Sequence, residues 1–132
     1  MKQVLLDTNF ILSCISQKID FIHELKTMGY EIIVPQEVIR EIDGLSTSSG
    51  RGLKVKHSSN LASSLIKLNK EHIKIISLGE KGKNNVDILI IKYAKAHPDT
   101  TIATLDRELK SKIKGNMKIV IHDKRALEIS SR

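Results

Sequence analysis

The stretch Lys2-Gln3-Val4-Leu5-Leu6-Asp7-Thr8-Asn9-Phe10-Ile11-Leu12 decides the fold. Lys2 to Leu6 is a short apolar run of strand length, and it stops at Asp7-Thr8-Asn9, a polar group suited to capping the helical pattern of Phe10, Ile11, Cys14 and Ile15. A strand, an acid and a helix follow one another within a few residues. Working outward, a second helical pattern runs from about Ile19 to Met28 and is closed by Gly29, and Glu31 to Val34 reads as a strand ending at Pro35. Pro35 suits the first turn of a helix over Gln36 to Leu45, with Val38, Ile42 and Leu45 at helical spacing. Leu53 to Lys70 is helical, His72 to Leu78 a strand, and Val86 to His97 a helix apolar on nearly all sides. Thr101 to Leu105 is a fourth strand, Arg107 to Lys114 a basic helix, and Lys118 to His122 a fifth strand. This alternation predicts an α/β fold, a three-layer α/β/α sandwich around a central, mostly parallel five-stranded sheet.

At 132 residues the chain fits one domain, 1–132, with room for a single shared core. Small residues and two glycines over 45–52 predict a mobile surface loop, Gly79 to Asn85 a polar loop bearing lysines, and 124–132 either a short helix or a frayed tail. The chain has 22 Lys and Arg against 15 Asp and Glu, a formal charge of +7, which suits a polyanionic partner such as nucleic acid. Aromatics are only 3% and Trp is absent, so the core is expected to be aliphatic and no Trp offers a stacking platform. Apolar runs such as Ile88 to Ile91 fall far short of the roughly 18 residues that span a bilayer, and no apolar signal segment follows Met1, so a cytoplasmic protein without a membrane partner is expected. The lone Cys14, between Ile11 and Ile15, reads as a buried structural thiol.

In an open parallel sheet, sites form beyond the carboxyl ends of the strands. Asp7 ends the first strand and Asp106 the fourth, and if those strands are neighbours the two carboxylates meet at one edge. Each also stands where a helix begins, so capping explains either one taken singly. Asp87 shares a stripe with Ile90, Ile91 and Ala94, which predicts burial; a place in the first helical turn, with Asn84 or Asn85 as cap, is the competing account. On the helix after Pro35, Glu41 and Asp43 border the apolar arc and Glu37 lies further out, and the helical wheel does not choose among them. A strongly basic chain that keeps single acids at such places points to a carboxylate cluster for Mg²⁺ or Mn²⁺, which favour oxygen ligands. Without a cation the converging carboxylates repel one another. The five histidines, His23, His57, His72, His97 and His122, share no motif with an acid and read as surface or capping residues.

Four segments also carry a resemblance. Leu5-Leu6-Asp7-Thr8-Asn9-Phe10-Ile11-Leu12, Val38-Ile39-Arg40-Glu41-Ile42, Asn85-Val86-Asp87-Ile88-Leu89 and Ala103-Thr104-Leu105-Asp106-Arg107-Glu108-Leu109 resemble, in order, the four motifs of the PIN domain nucleases. The resemblance spans nearly the whole chain. It implies a sheet with the first strand in the middle, order 3-2-1-4-5, and metal-dependent endonucleolytic cleavage of single-stranded or structured RNA. It assigns one or two Mg²⁺ or Mn²⁺ ions to Asp7, Glu41, Asp87 and Asp106, with the Thr104 hydroxyl as a helper, and leaves Glu37 and Asp43 unassigned. The segment Asp106 to Lys110 is more similar to the archaeal and eukaryotic branch that includes small-subunit ribosomal RNA processing nucleases than to the VapC toxins. Substrate binding is expected from Arg51, Lys54, Lys56 and His57, from Lys81 and Lys83, and from Arg107, Lys110, Lys112 and Lys114, which flank the acids. Three classes of function follow: a housekeeping RNA nuclease, a toxin held by an antitoxin, and a module that binds RNA or protein without cutting. The resemblance also admits a homodimer and a protein partner, an antitoxin or a ribosome-assembly factor.

Overall fold

A computed structural model describes residues 1–47, 52–79, 85–122 and 126–131. The elements in chain order are β1 (Lys2–Leu6), α1 (Thr8–Ser16), α2 (Phe21–Thr27), β2 (Tyr30–Pro35), α3 (Gln36–Thr47), α4 (Leu53–Leu68), a 3₁₀ turn (Lys70–His72), β3 (Ile73–Ile76), α5 (Val86–Ala96), β4 (Thr101–Ala103), α6 (Arg107–Lys112), β5 (Lys118–His122) and β6 (Ala126–Ser130). They build a six-stranded sheet of order β3-β2-β1-β4-β5-β6. All pairings are parallel except β5 with β6.

The opening stretch explains why β1 is central. Val4, Leu5 and Leu6 have no exposed surface, because β1 is paired on both sides, Val4 against Ile32 of β2 and Thr101 of β4. A strand covered on both faces needs a continuous apolar run, not an alternating one. The crossovers through α1 to α4 carry the chain from β1 towards β3, while α5 and α6 carry it back to β5. Right-handed connections therefore set the two groups on opposite faces, and the packing agrees: α1, α3 and α4 lie against one another, and α5 against α6. Phe10, Ile11, Phe21, Leu25, Ile32, Ile42, Ile90 and Ile102 fill the layers, an aliphatic core as the composition predicts. Cys14 is buried among them as a free thiol, and burial pushes its pKa up to about 12. No helix of the described residues is long and apolar enough to cross a membrane.

Three expectations need correction. The tail is neither helix nor frayed: Ala126–Ser130 adds a sixth strand, antiparallel to β5, with Ile119 opposite Ile129 and Ile121 opposite Leu127. Leu127 turns to the core while Ile129 is 41% exposed. The helix expected to stop at Leu45 runs on to Thr47, because the Ser46 and Thr47 hydroxyls donate back to the Asp43 carbonyl at 2.8 and 3.2 Å and hold the last turn. The remainder of that predicted mobile loop, residues 48–51, lies outside the described residues, as do 80–84 of the lysine-bearing loop. Pro35 closes β2 opposite Ile76 instead of opening the helix, which starts at Gln36.

Candidate active site

Asp7 and Asp106 leave neighbouring strands at the carboxyl edge. The junction is closed by the Asp7 N–H donating to the Ala103 carbonyl at 3.2 Å. Asp7 is 3% exposed. Its Oδ1 accepts from the Phe10 N–H at 2.7 Å, capping α1, and its Oδ2 accepts from the Thr104 hydroxyl at 2.5 Å. Thr104 is fully buried just beyond β4, and its Oγ1 also accepts from the Asp106 N–H at 3.1 Å. One hydroxyl thus links the two acids. Asp106 in turn caps α6, its Oδ1 accepting from the Glu108 and Leu109 N–H groups at 2.9 and 3.2 Å. Capping and convergence, competing accounts when the residues are read singly, hold together for both acids.

Asp87 sits in the first turn of α5 behind the cap Asn85, whose side-chain oxygen accepts from the Asp87 N–H at 2.7 Å. It is half-buried, less than its stripe predicts, because a first-turn side chain projects past the helix end. Glu41 is exposed on α3.

Electrostatics ties the set together. Burial, first of all, pushes the Asp7 carboxyl up to about 6; Thr104 and the Phe10 N–H pull it down, and the charges of Asp87 and Asp106 push it further up. The Asp87 carboxyl is raised by burial, then by Asp106, Glu41 and Glu108, with Lys112 offsetting part of the rise. Asp7, Glu41, Asp87 and Asp106, from four separate stretches of sequence, share one field of like charge. Among the described residues no three of them stand close enough together to make a ready-formed cage for an ion. The edge is an open acidic field, in which a cation would relieve the repulsion and use an all-oxygen donor set.

Glu37 and Asp43, which the helical wheel could not separate from Glu41, have structural partners. Both Glu37 carboxylate oxygens accept from the Leu78 N–H, at 3.1 and 3.2 Å, anchoring the chain just beyond β3 to α3. Asp43 accepts from the Ser63 hydroxyl at 2.9 Å, joining α3 to α4. Glu37→Ala is therefore expected to lower stability by about 1 kcal/mol without changing Mn²⁺ affinity, and Glu41→Gln to do the reverse. Chemical denaturation and Mn²⁺ titration of both variants check the pair.

Of the predicted basic contacts, Lys54 and Lys56 occupy the first turn of α4. Lys54 borders a groove of about 240 Å³ shared with Asn9, two residues after Asp7. Arg107 is exposed at the start of α6, and Lys110 lies near Lys118 of β5. Arg51, Lys81 and Lys83 lie outside the described residues. Three features escaped the sequence reading. Glu108 adds to the field at Asp87. Lys118 is 1% exposed, with its ammonium pKa lowered by burial and by Lys110. Asn116 is buried and donates to three carbonyls. The motif spacing of Asp106 and Glu108 was available for the first; for a lysine inside a five-residue strand no local signal exists. His23, His57, His72 and His97 are exposed. A roomy groove of about 580 Å³, bordered by Lys26, Tyr30, Glu71 and Lys74, opens at the amino edge, and none of the four acids touches it.

The fold and the four acids define a class. The PIN-like domain family matches residues 4–125, and the chain belongs to it. β6 extends beyond the matched stretch. Ribonuclease VapC4 of Methanocaldococcus jannaschii is 31% identical over 134 residues, covering 98% of this chain and 97% of that protein. Among solved structures, the PIN domain endonuclease Utp24 has the same fold with a TM-score of 0.79 at 23% identity, over 98% of this chain and 92% of its own. VapBC2 from Rickettsia felis, solved bound to a DNA fragment from its promoter, superposes with a TM-score of 0.60 at 18% identity, over 91% of this chain and 99% of its own.

Proposed function

We propose that the chain is a divalent-cation-dependent endoribonuclease that hydrolyses phosphodiester bonds of RNA at the carboxyl edge of its sheet. The observation that carries the reading is the shared field of Asp7, Glu41, Asp87 and Asp106 on a chain of charge +7. A basic protein has no structural need to gather acids at one edge, and the repulsion they create calls for a cation. The 31% identity to a protein named as a ribonuclease supports RNA as the substrate.

In this reading Asp7, Asp87 and Asp106, helped by Glu41, hold one or two Mg²⁺ or Mn²⁺ ions, which when bound supply an activated water and stabilise the charge of the leaving oxygen. Thr104 and the Phe10 N–H fix the orientation of the Asp7 carboxylate by donating to one oxygen each. Lys54, Lys56, Arg107 and Lys110, with Arg51, Lys81 and Lys83 from the sequence, bind phosphates and give affinity that falls with salt. A second reading of the role, a toxin ribonuclease held by an antitoxin, is favoured by the likeness to VapC4. RNA processing is favoured by the resemblance of Asp106 to Lys110 to the branch that includes ribosomal RNA processing nucleases.

The test is cleavage of labelled single-stranded RNA by wild type and Asp106→Asn, with Mn²⁺ and with EDTA. Wild type is expected to cut only with the metal, and the variant to lose at least about a hundredfold in rate, about 2.7 kcal/mol of barrier. Cleavage that survives both EDTA and the substitution rules out the carboxylate site. Growth arrest on expression, relieved by a co-expressed neighbouring partner, separates the toxin role from RNA processing.

A further inference from the structure

A second charged feature lies on the α5–α6 face. Where α5 ends and α6 turns towards β5, a cleft of about 450 Å³ opens between Lys95 and Pro98 on one side and Lys112, Lys114 and Asn116 on the other. Three lysines border it, and among the described residues its lining holds no carboxylate. Lys95 and Lys112 stand in the last turns of α5 and α6, where cations complement the helix dipole. That account does not cover Lys114, which lies beyond α6.

The floor of the cleft is held rigidly. Asn116 is buried, and its side-chain amide donates to the carbonyls of Ala94, His97 and Thr100 at 3.2, 3.0 and 2.8 Å. These bonds pin the end of α5 to the start of β5, so the lysine side chains project from a preorganised backbone. The cleft stands at the other end of α5 from the acidic edge, along the same helix. Asp87 opens α5 and Lys95 closes it, eight residues apart, or about 12 Å along the helix axis. Lys112, in the lining of the cleft, already acts on the Asp87 carboxyl. Its ion pair with Glu108, at 3.3 Å, is exposed and weak enough for a phosphate to compete.

We infer that the α5–α6 cleft is the path of the RNA strand leaving the carboxylate edge, its phosphates neutralised by Lys112, Lys95 and Lys114 in turn. The inference rests on the nuclease reading for the identity of the strand, and on the cleft alone for its course. Contacts of this kind are to the backbone, so the path is indifferent to base sequence.

The test is binding of labelled single-stranded RNA, followed by fluorescence anisotropy over a salt series in EDTA, so that no cleavage intrudes. Wild type is compared with Lys95→Gln/Lys112→Gln/Lys114→Gln and with a control of equal charge loss, Lys67→Gln/Lys70→Gln/Lys74→Gln, at the far side of the sheet. All six side chains are exposed, and thermal midpoints confirm folding. The cleft variant is expected to lose at least about tenfold in affinity and to flatten the log K against log salt slope by about 2, as loss of three phosphate contacts on a single strand requires. The control should show much less of either. Equal effects in the two variants, or no RNA binding by wild type, would overturn the path. Cleavage on the same samples with Mn²⁺ keeps the two claims apart. RNA cut by wild type with no special effect of the cleft removes the path alone. A cleft-specific slope without cleavage removes the nuclease and leaves a nucleic-acid-binding surface.

Discussion

Asp7→Asn is expected to abolish RNA cleavage, by about a thousandfold or more, and at the same time to make the metal-free protein more stable at pH 8. A thousandfold is about 4 kcal/mol of barrier. The stability gain follows from the Asp7 carboxyl, whose pKa stands at about 6 against an ordinary 3.8. A carboxyl raised on folding holds its proton more tightly in the native state. The stability linked to it is complete below pH 3.8 and is lost as pH rises through about 6. Above that range the ionised, buried carboxylate costs about 3 kcal/mol. Asparagine removes the charge and remains a good helix cap, but its single side-chain oxygen cannot serve both Phe10 and Thr104, which returns about 1 kcal/mol. The net gain is then about 2 kcal/mol at pH 8, and at pH 3.5, where the wild-type carboxyl is protonated, only the loss of about 1 kcal/mol remains. Urea denaturation in EDTA at the two pH values measures it. A variant less stable than wild type at both would make Asp7 a structural cap and nothing more.

Thr104→Val produces the second large effect. The hydroxyl it removes is fully buried, donates to Asp7 and accepts from the Asp106 N–H. Valine fills the space and offers neither bond, leaving a buried carboxylate oxygen and a backbone N–H without partners. The expected cost is about 2–3 kcal/mol. Loss of the donor also removes a contact that holds the Asp7 pKa down. The acid limb of the cleavage pH profile should therefore move to higher pH, and the rate should fall by about 10–100-fold, the range for a group that orients a ligand without being one. Thr104→Ser keeps the hydroxyl and should restore most of the rate and the original pH limb. A purely structural threonine would lower stability in the valine variant and leave the pH profile in place.

These two residues also mark how far the sequence could be read. The central strand, its acid and the capped helix were legible because each depends on neighbours in sequence: an apolar run covered on both faces, then a side chain reaching the N–H three residues on. Asp106 was legible for the same reason. The hydroxyl bridge from Thr104 to Asp7 spans 97 residues, and only the resemblance to the family singled Thr104 out. The choice among Glu37, Glu41 and Asp43 was closed to the helical wheel because it reports angles, while the partners of Glu37 and Asp43 come from Leu78 and Ser63, 41 and 20 residues away.

The sixth strand was hidden differently. Leu127 and Ile129 alternate with Glu128, but so short a stretch becomes a strand only because β5 offers it an open edge to pair with. The end of α3 misled through composition. Serine and threonine ahead of glycine suggest a loop, yet their hydroxyls can also bond back and continue a helix, as Ser46 and Thr47 do. Asp87 was expected to be buried because its stripe is apolar; its place in the first turn leaves it half out, where the charges of Asp106 and Glu41 reach it.

The central claim is that the four acids at the carboxyl edge form one cation site. Mn²⁺ titration by calorimetry at pH 7.5, on wild type and Asp7→Asn, tests it most directly. Saturable binding to wild type, accompanied by proton release from the raised carboxyls and lost in the variant, is the predicted result. Absence of binding to wild type, or equal binding by both proteins, would contradict it.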